Sequence, residues 1–196
     1  MLTSTQSKTV SSKATPPRRN DTRSLLLKAA AAEFNKAGYD GTDSNRIARR
    51  AGFAPQTFYR WFQDKAEIFI EVYHQWQAEE AVILRQLLSV NAADTEVADA
   101  CVTHHRKYLK FRRSLRRLSY EDQRVREARA ESRKRQIAFI CSLKSASVLD
   151  EASVASALLQ LERLSDALAE GEFDDMGLAN TGGRTALAEI IGHLRR

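Results

Sequence analysis

From Val97 to Leu118, an apolar, aromatic or weakly polar side chain recurs at Val97, Cys101, His104, Tyr108, Phe111, Leu115 and Leu118, in steps of four and three without a miss. Only a helix, with about 3.6 residues per turn, gathers such a series on one face. The spacing predicts a helix over 95–119. Looser versions recur along the chain: Leu26, Leu27, Ala30, Phe34 and Ala37; then Phe69, Val72, Trp76, Ile83 and Leu87; then Val154, Leu158, Leu161, Leu164 and Leu168; and finally Leu187, Ile190, Ile191 and Leu194. No alternating pattern longer than a few residues and no repeat competes with them. Only eight Gly and three Pro interrupt 196 residues. The chain is therefore expected to be all-α, with enough apolar residues (43%) for a substantial core.

Local punctuation divides these stripes. Residues 1–20 are rich in Ser, Thr and Lys and lack periodicity, which reads as a disordered basic tail. Asp21 or Thr22 can cap the first helix and Gly38 can end it. Thr42 or Asp43 can cap a second helix through "SNRIARRA", Gly52 supplies a tight turn, and Asp64 with Glu67 can cap a fourth. Glu79 and Glu80 interrupt that helix's stripe, so a bend or break is expected there. Asp94 can cap the helix of 95–119. A looser helix over 122–144 would face Val125, Ala128, Phe139, Ile140 and Leu143 inward.

The third helical stretch, "APQTFYRWFQDK" at 54–65, is the most informative. Residues on a helix are about 100° apart, so Phe58, Trp61 and Phe62 share a greasy back while Gln56, Tyr59, Arg60 and Gln63 point away. Pro55 suits the first turn. Together with Ile47, Ala48 and Ala51 on the preceding helix, this makes a helix-turn-helix over about 43–62. In such a pair the first helix braces while the second enters a major groove. The rings anchor a helix too short to stand alone. Gln can pair with adenine, Arg with guanine, and Thr can touch a thymine methyl.

The stretches "LLLKAAAAEFNKAGYDGT", "IARRAGFAPQTFYRWF" and "DKAEIF" together resemble the DNA-binding head of the tetracycline-repressor (TetR) family, across residues 22–76. The resemblance implies a three-helix head at 21–75 and an effector-binding, dimerising body at 76–196. It also implies a homodimeric regulator, expected to be a repressor, that a small molecule releases from operator DNA. Carried over by position, Thr42, Tyr59 and Lys65 are similar to phosphate-contacting residues. Gln56, Thr57 and Arg60 sit where base edges or nearby backbone are met. Ala54 departs from the family's usual Ser or Thr cap, and Ser44 occupies a position more often apolar.

Other classes find little support. No stretch approaches the roughly 20 apolar residues of a membrane span, so no membrane role is expected. No phosphate loop or nucleophile–base pattern occurs, so no enzyme and no cofactor is expected. Cys101, His104 and His105 lack further ligands at metal spacing, and Cys101 and Cys141 read as reduced thiols of a cytoplasmic protein. The net charge is +6, but residues 104–144 hold fourteen basic against four acidic residues, while 145–196 hold four basic against nine acidic. The basic run reads as the solvated coat of two helices, with a membrane- or RNA-binding surface as its rival.

Within the body, Cys101, His104, Tyr108 and Phe111 are the expected wall of an effector pocket. They suit a largely apolar small molecule carrying one or two polar atoms, or an acidic one should arginines of 112–135 stand at its mouth. Leu158, Leu161, Leu187, Ile190, Ile191 and Leu194 are the expected dimer surface, a four-helix bundle built from the last two helices of each copy.

Overall fold

The computed structural model describes residues 19–142 and 150–195. The expected tail at 1–20, apart from the backbone of 19 and 20, lies outside the described residues, as does Leu143. Every element found is helical: α1 (Arg19–Ala37), α2 (Ser44–Arg50), α3 (Pro55–Tyr59), α4 (Lys65–Ser89), α5 (Asp94–Lys107), α6 (Leu109–Glu121), α7 (Gln123–Ser142), α8 (Glu151–Glu170), α9 (Glu172–Asp175) and α10 (Thr181–Arg195).

Most boundaries follow the local chemistry. Gly38, at φ +73°, ends α1, and Gly52, at φ +82°, turns the chain between α2 and α3. Asp43 caps α2 by accepting from the Arg46 amide at 2.8 Å, Asp64 caps α4 by accepting from Glu67, and Asp150 caps α8 by accepting from Ser153. Ala54, in contrast, offers α3 no side-chain cap.

Several expectations need correction. First, α1 begins at Arg19, so Asp21 sits inside its first turn instead of capping it. Second, α4 runs unbroken for 25 residues through Glu79 and Glu80, a length of about 37 Å at 1.5 Å per residue. Glu80 interrupts the apolar stripe without breaking the helix, and its buried carboxylate meets the His105 ring. Third, the helix predicted over 95–119 is two helices broken at Tyr108 (φ −118°, ψ 30°). Periodicity survives this break because each side keeps its own helical spacing. Asp94 also yields the cap position to Ala93, whose amide donates to the Glu96 carboxylate. In α7, Val125 is buried as expected, but Phe139 is exposed and Ser132 is buried.

The core has three parts. The largest joins α1 to α4 with α6 and the start of α7: Leu26, Phe34, Ile47, Phe58, Phe62, Phe69 and Trp76 pack with Phe111, Leu115, Leu118 and Val125. Among its aromatic members, Phe34 meets Phe69 edge-on at 5.0 Å and Phe69 meets Phe111 tilted at 4.8 Å. A second cluster packs α5 against α8 and α10 through Val97, Cys101, Val102, Leu168, Leu187 and Ile191. A third, smaller one gathers Val154, Ala157 and Leu194 with Ile137, Ile140 and Cys141.

Candidate nucleic-acid interface

The tip of the head is built from α2 and α3. Ile47 and Ala48 of α2 and Phe58 and Phe62 at α3 are fully or almost fully buried, so α3 rests on an apolar base. Trp61 is only partly buried and packs at the edge of that base. Of the three rings expected beneath α3, Phe58 and Phe62 are therefore the buried ones. With the back occupied, Gln56, Tyr59 and Arg60 face solvent and Thr57 is half-exposed. Tyr59 is 59% exposed, and its hydroxyl lies 2.8 Å from the Ser44 hydroxyl. Ser44 thus orients the tyrosine, a polar role that explains a polar residue at this place.

Thr42 and Lys65 are placed differently. Thr42 is buried, and its hydroxyl donates to Glu33 at 3.3 Å. The Lys65 ammonium donates to the carbonyls of Tyr39 at 2.8 Å and Thr42 at 3.0 Å, and stands 3.9 Å above the Tyr39 ring. Burial lowers the Lys65 pKa, against the nearby charges of Asp40 and Asp43. Two of its three protons brace the turn before α2, which leaves one for a phosphate.

Two residues of the tip were missed from sequence. Glu33 on α1 is buried and holds both Arg50 (3.0 Å) and Arg46 (3.4 Å), thereby fixing α2 to α1. Arg49 is exposed at the end of α2 and, like Arg60, has no charge partner among the described residues. A buried Glu in an Ala-rich helix and an Arg-Arg pair ending α2 were the available signals. The arrangement is a helix-turn-helix, a class of DNA-binding head: neutral and basic groups outward, apolar rings inward.

The body places its candidates in separate neighbourhoods. Cys101 sits in the α5–α8–α10 cluster, where burial pushes its thiol pKa up. Phe111 belongs to the large cluster shared with the head. His104 stacks on Trp76 at 4.9 Å and approaches Tyr108 at 5.2 Å, while the Tyr108 hydroxyl donates to Glu79. So His104 and Tyr108 come together, and Cys101 and Phe111 lie to either side. On α8 and α10, Leu187 and Ile191 face the chain's own α5, Leu158 and Leu194 are buried, and Leu161 and Ile190 are half-exposed. Among the described residues, no group of three His, Cys, Asp or Glu is placed to hold a metal ion, and no helix is long and apolar enough to cross a membrane.

At the body's centre lies a charge network that periodicity did not reveal. Arg112 is fully buried beneath Trp76, its guanidinium 4.6 Å from the ring, and it grips Asp166 with two hydrogen bonds of 3.0 Å. His105 lies between Asp166 at 2.8 Å and Glu80 at 3.4 Å. Burial and Arg112 oppose protonation of His105, yet the two carboxylates outweigh them and raise its pKa. Burial alone would raise Asp166, but His105 and Arg112 hold its carboxyl far below the usual range. Nearby, Glu162 accepts from Arg129 at 3.0 Å and from Arg133 at 3.1 and 2.6 Å. Much of the basic surplus of 104–144 is thus answered by acids of α8, so the expected solvated coat is in part an internal lattice.

Comparison with known proteins agrees with this reading. A family model described as "Bacterial regulatory proteins, tetR family" matches residues 26–72. The HTH-type transcriptional regulator YdgC of Bacillus subtilis (strain 168) is 36% identical over 76 residues, which span 39% of each chain. A solved TetR-family regulator from Rhodococcus sp. superposes with a TM-score of 0.68 at 16% identity, over 90% of this chain and all of that one. A regulator from Saccharomonospora viridis, solved in complex with choline, superposes at 0.63 with 17% identity over 89% and 97% of the two chains. The head matches the tetR-family model, and the chain shares the fold of solved regulators of that family.

Proposed function

We propose that this TetR-family, DNA-binding protein is a cytoplasmic homodimeric repressor, released from its operator by a small molecule bound in the body. The observation that carries this is the tip of the head, where Gln56, Tyr59 and Arg60 stand outward on a buried base of Phe58 and Phe62. Gln56, Thr57 and Arg60 would read base edges; Tyr59, Lys65 and the turn at Thr42 would meet phosphates. One five-residue helix gives a small footprint, so specific binding calls for two heads about 34–36 Å apart on a palindromic site. The faces of α8 and α10 left outside the chain's own core, with Leu161 and Ile190 at their margin, would supply the dimer contact.

Selection of binding sites from random duplexes, followed by fluorescence anisotropy, tests the reading. A single enriched palindrome bound by two chains is expected. Binding without sequence preference, or a protein that sediments only as a monomer at micromolar concentration, would overturn it.

A further inference from the structure

Between α6, α7 and α8 the body opens a cleft of about 490 Å³. Five arginines line it, Arg116, Arg126, Arg129, Arg133 and Arg163, against two carboxylates, Glu162 and Asp166. Three of the five follow helical spacing on α7: Arg126, Arg129 and Arg133 fall on one face, one turn apart. Glu162 shows how that row holds an anion, because one carboxylate takes hydrogen bonds from both Arg129 and Arg133. Arg126, at the open end of the row, is exposed and has no charge partner among the described residues.

The remaining charges do not cancel this surplus. Arg116 is shared between Asp166 and Glu170, and Arg163 leans on Glu172. Counting those two further carboxylates still leaves the wall one positive charge ahead, and Arg112 lies buried behind Asp166. Burial among these guanidinium groups lowers the pKa of Arg129 despite its contact with Glu162. The rim is of another kind. Tyr120 on α6 is 83% exposed and Leu159 on α8 is 47% exposed, and both line the cleft. Large apolar side chains held at the mouth of a basic cleft suit a ligand with one charged end and one apolar end.

We propose that this cleft binds an organic anion, a carboxylate or phosphate monoester, with its charged end on Arg126 and the α7 row and its apolar end against Tyr120 and Leu159. This rests on the regulatory reading above and names its effector class. It moves the effector site from the inward face of α5 to the α6–α7–α8 side. Signal and site are also joined physically. Glu162 and Asp166 sit one turn apart on α8, and Asp166 leads through His105 to Glu80 on α4, the helix that carries the head. An anion drawing on the arginines that hold Glu162 shifts the balance of that chain.

Calorimetry on the full chain, with phenylbutyrate and phenyl phosphate beside their neutral counterparts phenylbutanamide and phenol, tests the proposal. Both anions are expected to bind at least about tenfold more tightly than the neutral molecules, the scale of a lost charge-assisted contact. Arg126→Gln should weaken the anions by about tenfold and leave the neutral molecules unaffected, while Arg135→Gln, a charge change outside the cleft, should leave all four unchanged. Tyr120→Ser should weaken the phenyl anions but not inorganic phosphate. Equal affinity for anions and neutral molecules, or an Arg126→Gln variant that binds the anions as the wild type does, would overturn the anion site. Inorganic phosphate binding as tightly as phenyl phosphate would overturn its apolar end. Operator anisotropy separates the two readings: anions that bind without changing DNA affinity defeat the regulation and leave the site. Release by a neutral molecule, with no anion bound, defeats the site and leaves the regulation.

Discussion

The head and the body are both helical, yet they are held together by opposite means. In the head the centre is aromatic and aliphatic, and the charges lie at the edge, where Glu33 clips α2 onto α1. In the body the centre itself is charged, with Arg112, His105, Asp166 and Glu162 buried between α4, α5, α6, α7 and α8. The contrast matters because losing an apolar side chain leaves a cavity, whereas losing one member of a buried ion pair strands its partner's charge.

The largest expected effect comes from unpairing the body's core. Arg112→Met leaves Asp166 buried without its fork and should cost about 3–5 kcal/mol of stability in urea unfolding. Adding Asp166→Leu should recover part of that loss, because both charges are then gone. In the head, Phe58→Ala should cost about 3–5 kcal/mol by opening a cavity, and no second substitution of charge should rescue it. Trp61→Ala, at a half-exposed ring, should cost clearly less. If the double body variant were no better than Arg112→Met alone, the distinction between the two cores would fail.

Specificity is the next scale down. Arg60→Ala and Gln56→Ala should each relax preference at particular base pairs by about 1–3 kcal/mol, while Tyr59→Phe should weaken all sequences alike. Acid gives a gentler probe. Asp166 and Glu162 titrate below their unfolded values, so their stabilisation is complete above about pH 4 and is lost progressively as pH falls from there through their lower folded values. His105 is raised, so its contribution is complete below about pH 6.5 and fades as pH rises through its folded value. Urea melts from pH 3 to 9 should show the onset of the acid-side loss and the alkaline fade. Asp166→Asn should flatten the acid side, and His105→Gln the alkaline side. The smallest effect expected is a gain: Ala54→Ser would add the missing cap to α3, worth about 1 kcal/mol.

How much of this could be read from the chain depended on whether the cause was local. Helices, turns at Gly38 and Gly52, and caps at Asp43 and Asp64 depend on near neighbours, and the sequence spells these out. The polar front of α3 was equally legible, since its aromatic back fixes the direction. The break at Tyr108 was not, because stripes on either side stay in register across a single irregular residue. Nor was the charge lattice. A surplus of Arg in 104–144 and of acid in 145–196 was plain, but Arg112 and Asp166 are 54 residues apart and only the fold shows that they meet. Glu80 was misread for the same reason: its partner, His105, belongs to another helix.

The large aromatic cluster has a practical consequence for anyone who treats such regulators as modular parts. Phe34 and Phe69 finish their packing on Phe111, Leu115 and Leu118 of α6, so a cut near residue 75 runs through a single core instead of between two. A head transplanted alone onto another regulator would arrive with half a socket, its rings open to water. A workable chimera must carry the inner face of α6 along with the reading helix, which makes that face part of the head's own specification.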